Sequence, residues 1–553
     1  MKYVFIIFFI FETFSFSFSN ERKTPVKIQI IHSDIIQNYD HNSNFFLIGN
    51  VHLKYKKYHL FCDKITYNKK NNKFHGYGNV RLESEKNKII SKNIVGDFFN
   101  FQLSGNVILY QGKIKLKSKI INYNFDKKLL QAVDNVVLFF DKIKLTTNLL
   151  EYNFRLHCIS YKKKSMIHYG DYIICSKEGF FYIKKNKIEL KHKIKLISKN
   201  YTAYANTLEY LLNKNQINFN NTVVIMQNTN FNNFLYAKKA LFLFQKKIFL
   251  FEKYVSIHYN DQIIKGKYLF FDQKKKYGFI RNILLEDFKK KYFLISGYGK
   301  FDFHSGFLIL KENPIIIKKL NNNSVFIYSS ILKINIHKNY TYSIQSFSMK
   351  IFFESINIKG KCDFFNYESS NDYIKLNGNP IFFFGKNKQI TGKNICVHLK
   401  NDFIKYIKIV KNAFYIEKIN SKEFNQIEGD MMTIFFDTTN VLEKIMFQGN
   451  IHGIIFIKYD KEIKMINRLR CDILSIYLDK LKKIRKISCA KETCSELIPI
   501  NKETPNKIFY LPKFSWKEKY KPKNDKKSFV DQEIDKYRKE NFLEKKEIKA
   551  MIR

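Results

Sequence analysis

The chain has 553 residues, 45% of them apolar, which allows two to four ordinary domains or one long repetitive body and excludes a disordered protein. Phe (55) and Tyr (35) are abundant while Pro (7), Gly (20) and Trp (1) are scarce, a balance that favours strands over helices because aromatic and β-branched side chains fit a pleated surface. The excess of 97 Lys+Arg over 49 Asp+Glu gives +48. Alone that charge would point to nucleic acid or anionic lipid, but the lysines are spread along the chain in a composition typical of AT-rich codons, so no nucleic-acid partner is expected.

In chain order, residues 1–19 come first: Lys2, an apolar run over 3–11, Glu12 and a small-residue stretch ending at Ser17 and Ser19. They read as a secretory signal peptide, because Glu12 stops the run short of the roughly 20 apolar residues that span a bilayer. No later run is long enough for a transmembrane helix. Eight Cys are too few to scaffold a chain of this length, and of them only Cys489 and Cys494 are close enough in sequence to suggest a bridge.

Residues 20–320 carry a repeat. Gly49-Asn50-Val51, Gly78-Asn79-Val80, Gly105-Asn106-Val107 and Asp134-Asn135-Val136 follow one another at 29, 27 and 29 residues. The recurrence excludes a nucleotide-binding glycine loop for HGYGNVRL (75–82) and makes each Gly-Asn the turn that opens a strand. Midway between these marks stand CDKITY (62–67), SKIINY (118–123), TNLLEY (147–152) and ANTLEY (205–210), each a small residue followed by an apolar stretch ending in an aromatic. Every unit therefore holds two strands. Ile114, Leu116, Ser118 and Ile120 alternate with lysines, as do Ile188, Leu190, His192, Ile194 and Leu196 with charged residues, the pattern of half-buried strands. The expected inner face comprises Val51, Leu53, Val80, Leu82, Val107, Leu109, Ile114 and Leu116. Alternation is the same for a filled core and for an open passage, and both readings stand.

A second, less regular set, with CDFFNY (362–367) and GDMMTIFF (429–436), occupies 325–498 beyond a boundary at Asn321-Asn322-Asn323-Ser324. Residues 499–553 form a basic, charged tail whose last part, from 531, reads as an exposed helix or a solvated end. No catalytic, cofactor or metal site is expected. Glu151 and Glu209 hold equivalent places in the repeat and read as structural, His192 as a core histidine, and Cys62, Cys362 and Cys471 as small residues opening units.

The stretch GNVHLKYKKYHLFCDKITYNKKNNKFHGYGNVRLES resembles the OstA/LptA-type repeat of lipopolysaccharide-transport proteins, in particular the long OstA-like members of Bacteroidetes, and LPKFSWKEKYKPK (511–523) is similar to the tail of those members. The resemblance implies an all-β, elongated β-jellyroll open along one side. It also implies a periplasmic bridge that carries lipopolysaccharide from the inner to the outer membrane with its acyl chains in an apolar groove. Its partners would be other transport proteins or a second copy, joined end to end by strand addition, an outer-membrane insertion barrel, and a separate ATP-driven extractor. No barrel-like series of amphipathic strands follows residue 500. The rival is a secreted β-helical scaffold that binds or processes polysaccharide.

Overall fold

The computed structural model describes residues 28–552 except 39–43, 56, 98, 290, 320–323, 338–340, 354–357, 372, 401–402, 438–440, 460–461, 480–483, 502–503 and 522–526. The signal peptide and the boundary at Asn321-Asn323 lie outside the described residues. The chain divides into two compact units, one ending at Gly170 and the other beginning at Asp171. The strand pairings whose register is described are antiparallel, which a parallel β-helix does not have.

The first unit contains β1 (Gln29–His32), β2 (Ile35–Asn38), β3 (Asn44–Tyr55), β4 (Tyr58–Asn68), β5 (Lys73–Glu83), β6 (Asn87–Gly96), β7 (Asn100–Gln111), β8 (Ile114–Asn124), β9 (Leu129–Phe140) and β10 (Ile143–Asn153). From β3 to β10 each strand pairs with the next. The Gly-Asn marks do not open these strands, as the sequence suggests; they sit in their middles. Gly49 and Asn50 both have left-handed backbone (φ 78° and 42°), and the register with β4 shifts between Ile48 and Val51. Each mark is thus a β-bulge that turns the strand through a corner, so one strand serves two facing half-sheets. At Gly78 glycine is favoured because an added Cβ would lie 2.1 Å from the Asp63 carboxylate, whereas Asp134 takes the same left-handed position in its own mark.

That carboxylate accepts from Asn79 Nδ2 at 2.9 Å, and Asp34 does the same for Asn50, Asp363 for Asn379 and Asp430 for Asn450. An Asp that follows a small residue, Ser33, Cys62, Cys362 or Gly429, therefore clamps the bulge of the following strand. Asp63→Ala is expected to cost about 1 kcal/mol, read as a fall of about 4 °C or less in the thermal midpoint, with Asn79→Ala adding little to it.

Bulges also shift the alternation. On β8 the buried residues are Ile114, Leu116 and Ser118 and then Ile121, not Ile120. His192, expected in the core, is exposed, because His192 and Lys193 form the left-handed pair of a bulge that lacks the Gly-Asn signature. Local sequence carries no record of this phase change, since His and Lys occupy positions that Gly and Asn fill elsewhere.

Two ladders of apolar residues result. Leu53, Leu60, Leu82, Ile89, Leu109, Leu116, Leu138 and Leu145 oppose one another in succession across one half-sheet. Leu47, Ile65, Gly76, Ile94, Leu103, Ile121, Ala132 and Leu150 do so across the other.

In the second unit antiparallel strands again enclose an apolar interior, including Met349, Ile351, Cys362, Val397, Met432 and Phe447. Its outer face is also apolar in places. Val325 and Ile327 join the interior while Phe326 between them faces the other way, as Phe352 does beside Ile351 and Phe414 beside Ala413 and Tyr415. The tail covers these outward residues. Tyr510, Leu511, Phe514 and Trp516 pack on Phe414, Ile416 and Phe424. Two buried glutamines fasten this strap: Gln426 donates to Phe509 O at 2.8 Å and accepts from Leu511 N at 2.9 Å, while Gln389 donates to Ser515 O at 2.8 Å and accepts from Lys517 N at 2.7 Å.

The strap leads to helix α1 (Lys527–Ile552), whose Ile534 and Tyr537 cover Ile263, Leu284, Phe293, Ile317, Phe326 and Phe352, and whose Ile548 covers Val224, Met226 and Tyr236. The solvated tail or exposed helix suggested by the charge of this segment is therefore corrected: its apolar minority is buried against the sheet.

Candidate functional site

A cavity of about 490 Å³ opens in the first unit between the two half-sheets, within the range of roughly 300–1,000 Å³ that small-molecule sites occupy. One half-sheet contributes Leu53, Leu60 and Leu82; the other contributes Leu47, Ile65 and Ile94. Ile30 of β1 and Ile36 of β2 complete it on the N-terminal side, where both side chains are about half exposed. Among the described residues, Lys69 and Asp97 are the only charged ones in the lining. Asp97 is already engaged, its carboxylate accepting from the N–H groups of Phe99 and Asn100 at 2.8 and 2.7 Å. Such a lining can receive hydrocarbon and offers almost no compensation to a polar guest.

Opposite the bulge corner the two half-sheets end in turns, and aromatic rings meet there. Phe125, in the turn after β8, packs edge-on to Tyr58 at 5.6 Å and to Tyr55 at 6.4 Å, residues that flank the β3–β4 turn. It also touches Phe101 at 5.5 Å and Tyr123 at 4.8 Å. Burial, and then the neighbouring Tyr58, push the Tyr123 phenol up to about 12.

Of the eight inner-face residues expected from alternation, Leu53 and Leu82 line the cavity. Val51, Val80, Val107, Leu109, Ile114 and Leu116 are buried in the interior, none more than 5% exposed. The aromatic lining residues, Phe45, Tyr55, Tyr58, Phe74, Phe101 and Phe125, do not follow from the repeat marks. One signal pointed towards them, the aromatic that closes each mid-unit signature: Tyr67 of CDKITY is in the lining, and Tyr123 of SKIINY packs on Phe125.

The outward face carries polar and aromatic side chains that contact one another. The Arg81 guanidinium stacks over Phe61 at 4.4 Å, Phe61 stacks on His52 at 4.2 Å, and His52 and His59 are joined at 2.9 Å. Burial and then the adjacent His59 lower the His52 pKa. Glu151 accepts from Gln131 at 2.8 Å, and Glu209 pairs with Lys187 at 2.7 Å, which lowers the Glu209 pKa. Both carboxylates are thus committed to cross-strand pairs. Cys62, Cys362 and Cys471 are buried, as small residues at the interior corner would be. Among the described residues no group of His, Cys, Asp and Glu is arranged to hold a metal ion, and no helix is long and apolar enough to cross a membrane.

Residues 89–206 match the family model described as OstA-like protein. Solved structures that resemble the chain include LptH from Pseudomonas aeruginosa, described as the LptA-homologous periplasmic component of the lipopolysaccharide transport device; it is 10% identical, covers 26% of this chain and 93% of its own length, and gives a TM-score of 0.20. No curated protein matches the sequence.

Proposed function

From the premise that residues 89–206 are an OstA-like segment, we propose that the chain is a periplasmic lipopolysaccharide-transport protein that holds acyl chains between the half-sheets of its first unit. The observation that carries this reading is the cavity, lined by leucines, isoleucines and aromatic rings from both half-sheets. Each methylene buried there is worth about 0.8 kcal/mol, so even part of one acyl chain supplies useful affinity. The sugar and phosphate portions stay in water, where Lys69 at the cavity and the outward row Lys115, Lys117 and Lys119 present positive charge.

The N-terminal edge supports assembly by strand addition. Strands β1 and β2 pair with β3 on one side, and Ile30, Ile31, Ile35 and Ile36 are each about half exposed. Backbone donors and acceptors of such an edge suit another transport protein or a second copy, and an end-to-end array would extend the apolar path towards an outer-membrane insertion barrel. Loading of the groove falls to a separate ATP-driven extractor.

A photo-crosslinking residue at Leu82 should capture lipopolysaccharide in cells, while one at Arg81 on the outward face, or at the packed Leu109, should capture far less. Equal capture at Leu82 and Arg81 in folded protein would sink the groove reading.

A further inference from the structure

Cys471 and Cys489 stand on neighbouring strands at the C-terminal edge of the second unit. Cys471, on Glu462–Leu478, is 3% exposed in the interior, and Cys489, on Ile484–Ala490, packs against the same interior. The register sets Leu474 opposite Cys489, and the Asp472 N–H donates to Lys491 O at 3.1 Å. The Cys489 thiol is close enough to act on the Cys471 thiol.

The corresponding corner of the first unit gives the spacing. Gly76 opposes Ile65 as Cys489 opposes Leu474, and Cys62 precedes Ile65 by as many residues as Cys471 precedes Leu474. A Cβ placed on Gly76 would lie 3.6 Å from Cys62 Sγ, so side chains at these two places of the corner are in van der Waals contact, the proximity a disulfide needs. The pair suggested by sequence proximity does not meet this condition. Cys494 opposes Arg470 while Cys489 opposes Leu474, a separation of about 13 Å along the same strand at roughly 3.3 Å per residue.

We propose that Cys471 and Cys489 form a disulfide by exchange with an external disulfide, R–S–S–R. Cys489, the less buried sulfur, attacks as thiolate, forming a Cys489–S–S–R bond and expelling one RS⁻. Cys471 then attacks the Cys489 sulfur, forming the internal S–S bond and expelling the second RS⁻. The two cysteine protons end on two RSH, and the two electrons pass to the external disulfide. Burial, and then the Cys489 contact, push the Cys471 thiol up to about 12, so the second step is slow at neutral pH and quickens as pH rises. The bond would staple Ile484–Ala490 to Glu462–Leu478 from the interior, fixing the last corner of this sheet.

The test uses the full chain, independently of any lipid. Purified protein is incubated with oxidised glutathione at alkaline pH, free thiols are alkylated after denaturation, and peptides are mapped by mass spectrometry. The expected product is a Cys471–Cys489 cross-linked peptide, kept in Cys494→Ser and lost in Cys489→Ser, with a thermal midpoint above that of the reduced protein. A Cys489–Cys494 cross-link, a glutathione adduct that never resolves, or full alkylation of both cysteines would overturn the proposal; if Cys489→Ser does not fold, the map of Cys494→Ser decides alone.

Discussion

Leu82→Asp is expected to lower affinity for lipopolysaccharide by about 100-fold or more while leaving the fold intact. Leu82 lies on the ladder between Leu60 and Ile89 and lines the cavity, yet it is only half-buried, so the chain can fold with a carboxylate there. A carboxylate facing an acyl chain must either lose its water or keep the chain away, and displacing about four methylenes forfeits roughly 3 kcal/mol. Arg81→Asp, one residue away on the outward face, should change affinity by less than tenfold. Binding of a fluorescent lipid A to each variant, with circular dichroism to check the fold, reads the difference; unchanged affinity in Leu82→Asp would remove the cavity from the binding path.

The second large effect is expected at the contact between α1 and the sheet. Glu544, 3% exposed, accepts from Tyr254 OH at 3.0 Å, pairs with His258 at 2.9 Å and lies 3.8 Å from Lys265 Nζ, which also donates to Tyr537 O and sits over the Tyr537 ring. Glu544→Ala leaves Lys265 buried without its nearest carboxylate and should destabilise the second unit by about 3–5 kcal/mol. Joint replacement, Lys265→Met with Glu544→Leu, should recover most of that loss, because two apolar side chains need no partner. Urea unfolding followed by circular dichroism measures both. Emission from Trp516, the single tryptophan, reports separately whether the strap stays docked.

The same cluster sets a pH dependence. Burial depresses Lys265 to about 8, against the opposing pull of Glu544, Glu540 and Glu286. Between about pH 8 and the ordinary lysine value the folded chain has released this proton while the unfolded chain still holds it, so stability rises with pH there. Tyr254 opposes the rise at the upper end: burial and then Glu544 hold its phenol above the usual range, so above about pH 10 the unfolded chain loses a proton that the folded chain keeps. A stability maximum near pH 10, flattened on its low side by Lys265→Met, is the expected outcome.

How far the sequence reached can be judged from particular residues. The period of the Gly-Asn marks and the lysine alternation of 114–119 place strands correctly, because backbone sterics and a two-residue side-chain period act within a few residues of chain. Two successive left-handed residues, however, are equally compatible with a turn between strands and a bulge inside one. Only pairing with β4 makes Gly49-Asn50 a corner, and the equivalent corners elsewhere move burial from Ile120 to Ile121 on β8 and put His192 in water.

The rest was decided by contacts that sequence distance conceals. Charge made the tail look solvated, yet Glu544 meets His258 across 286 residues, and the outward apolar residues beside Val325, Ile351 and Ala413 exist to be covered by the strap and α1. Proximity in sequence paired Cys489 with Cys494, whereas register brings Cys489 to Cys471. By itself the sequence determined an all-β chain with an apolar inner face. Whether that face is packed, as at Val107, or open, as at Leu82, was settled by the tertiary structure, because packing depends on what stands across the fold and alternation records only which way a side chain points.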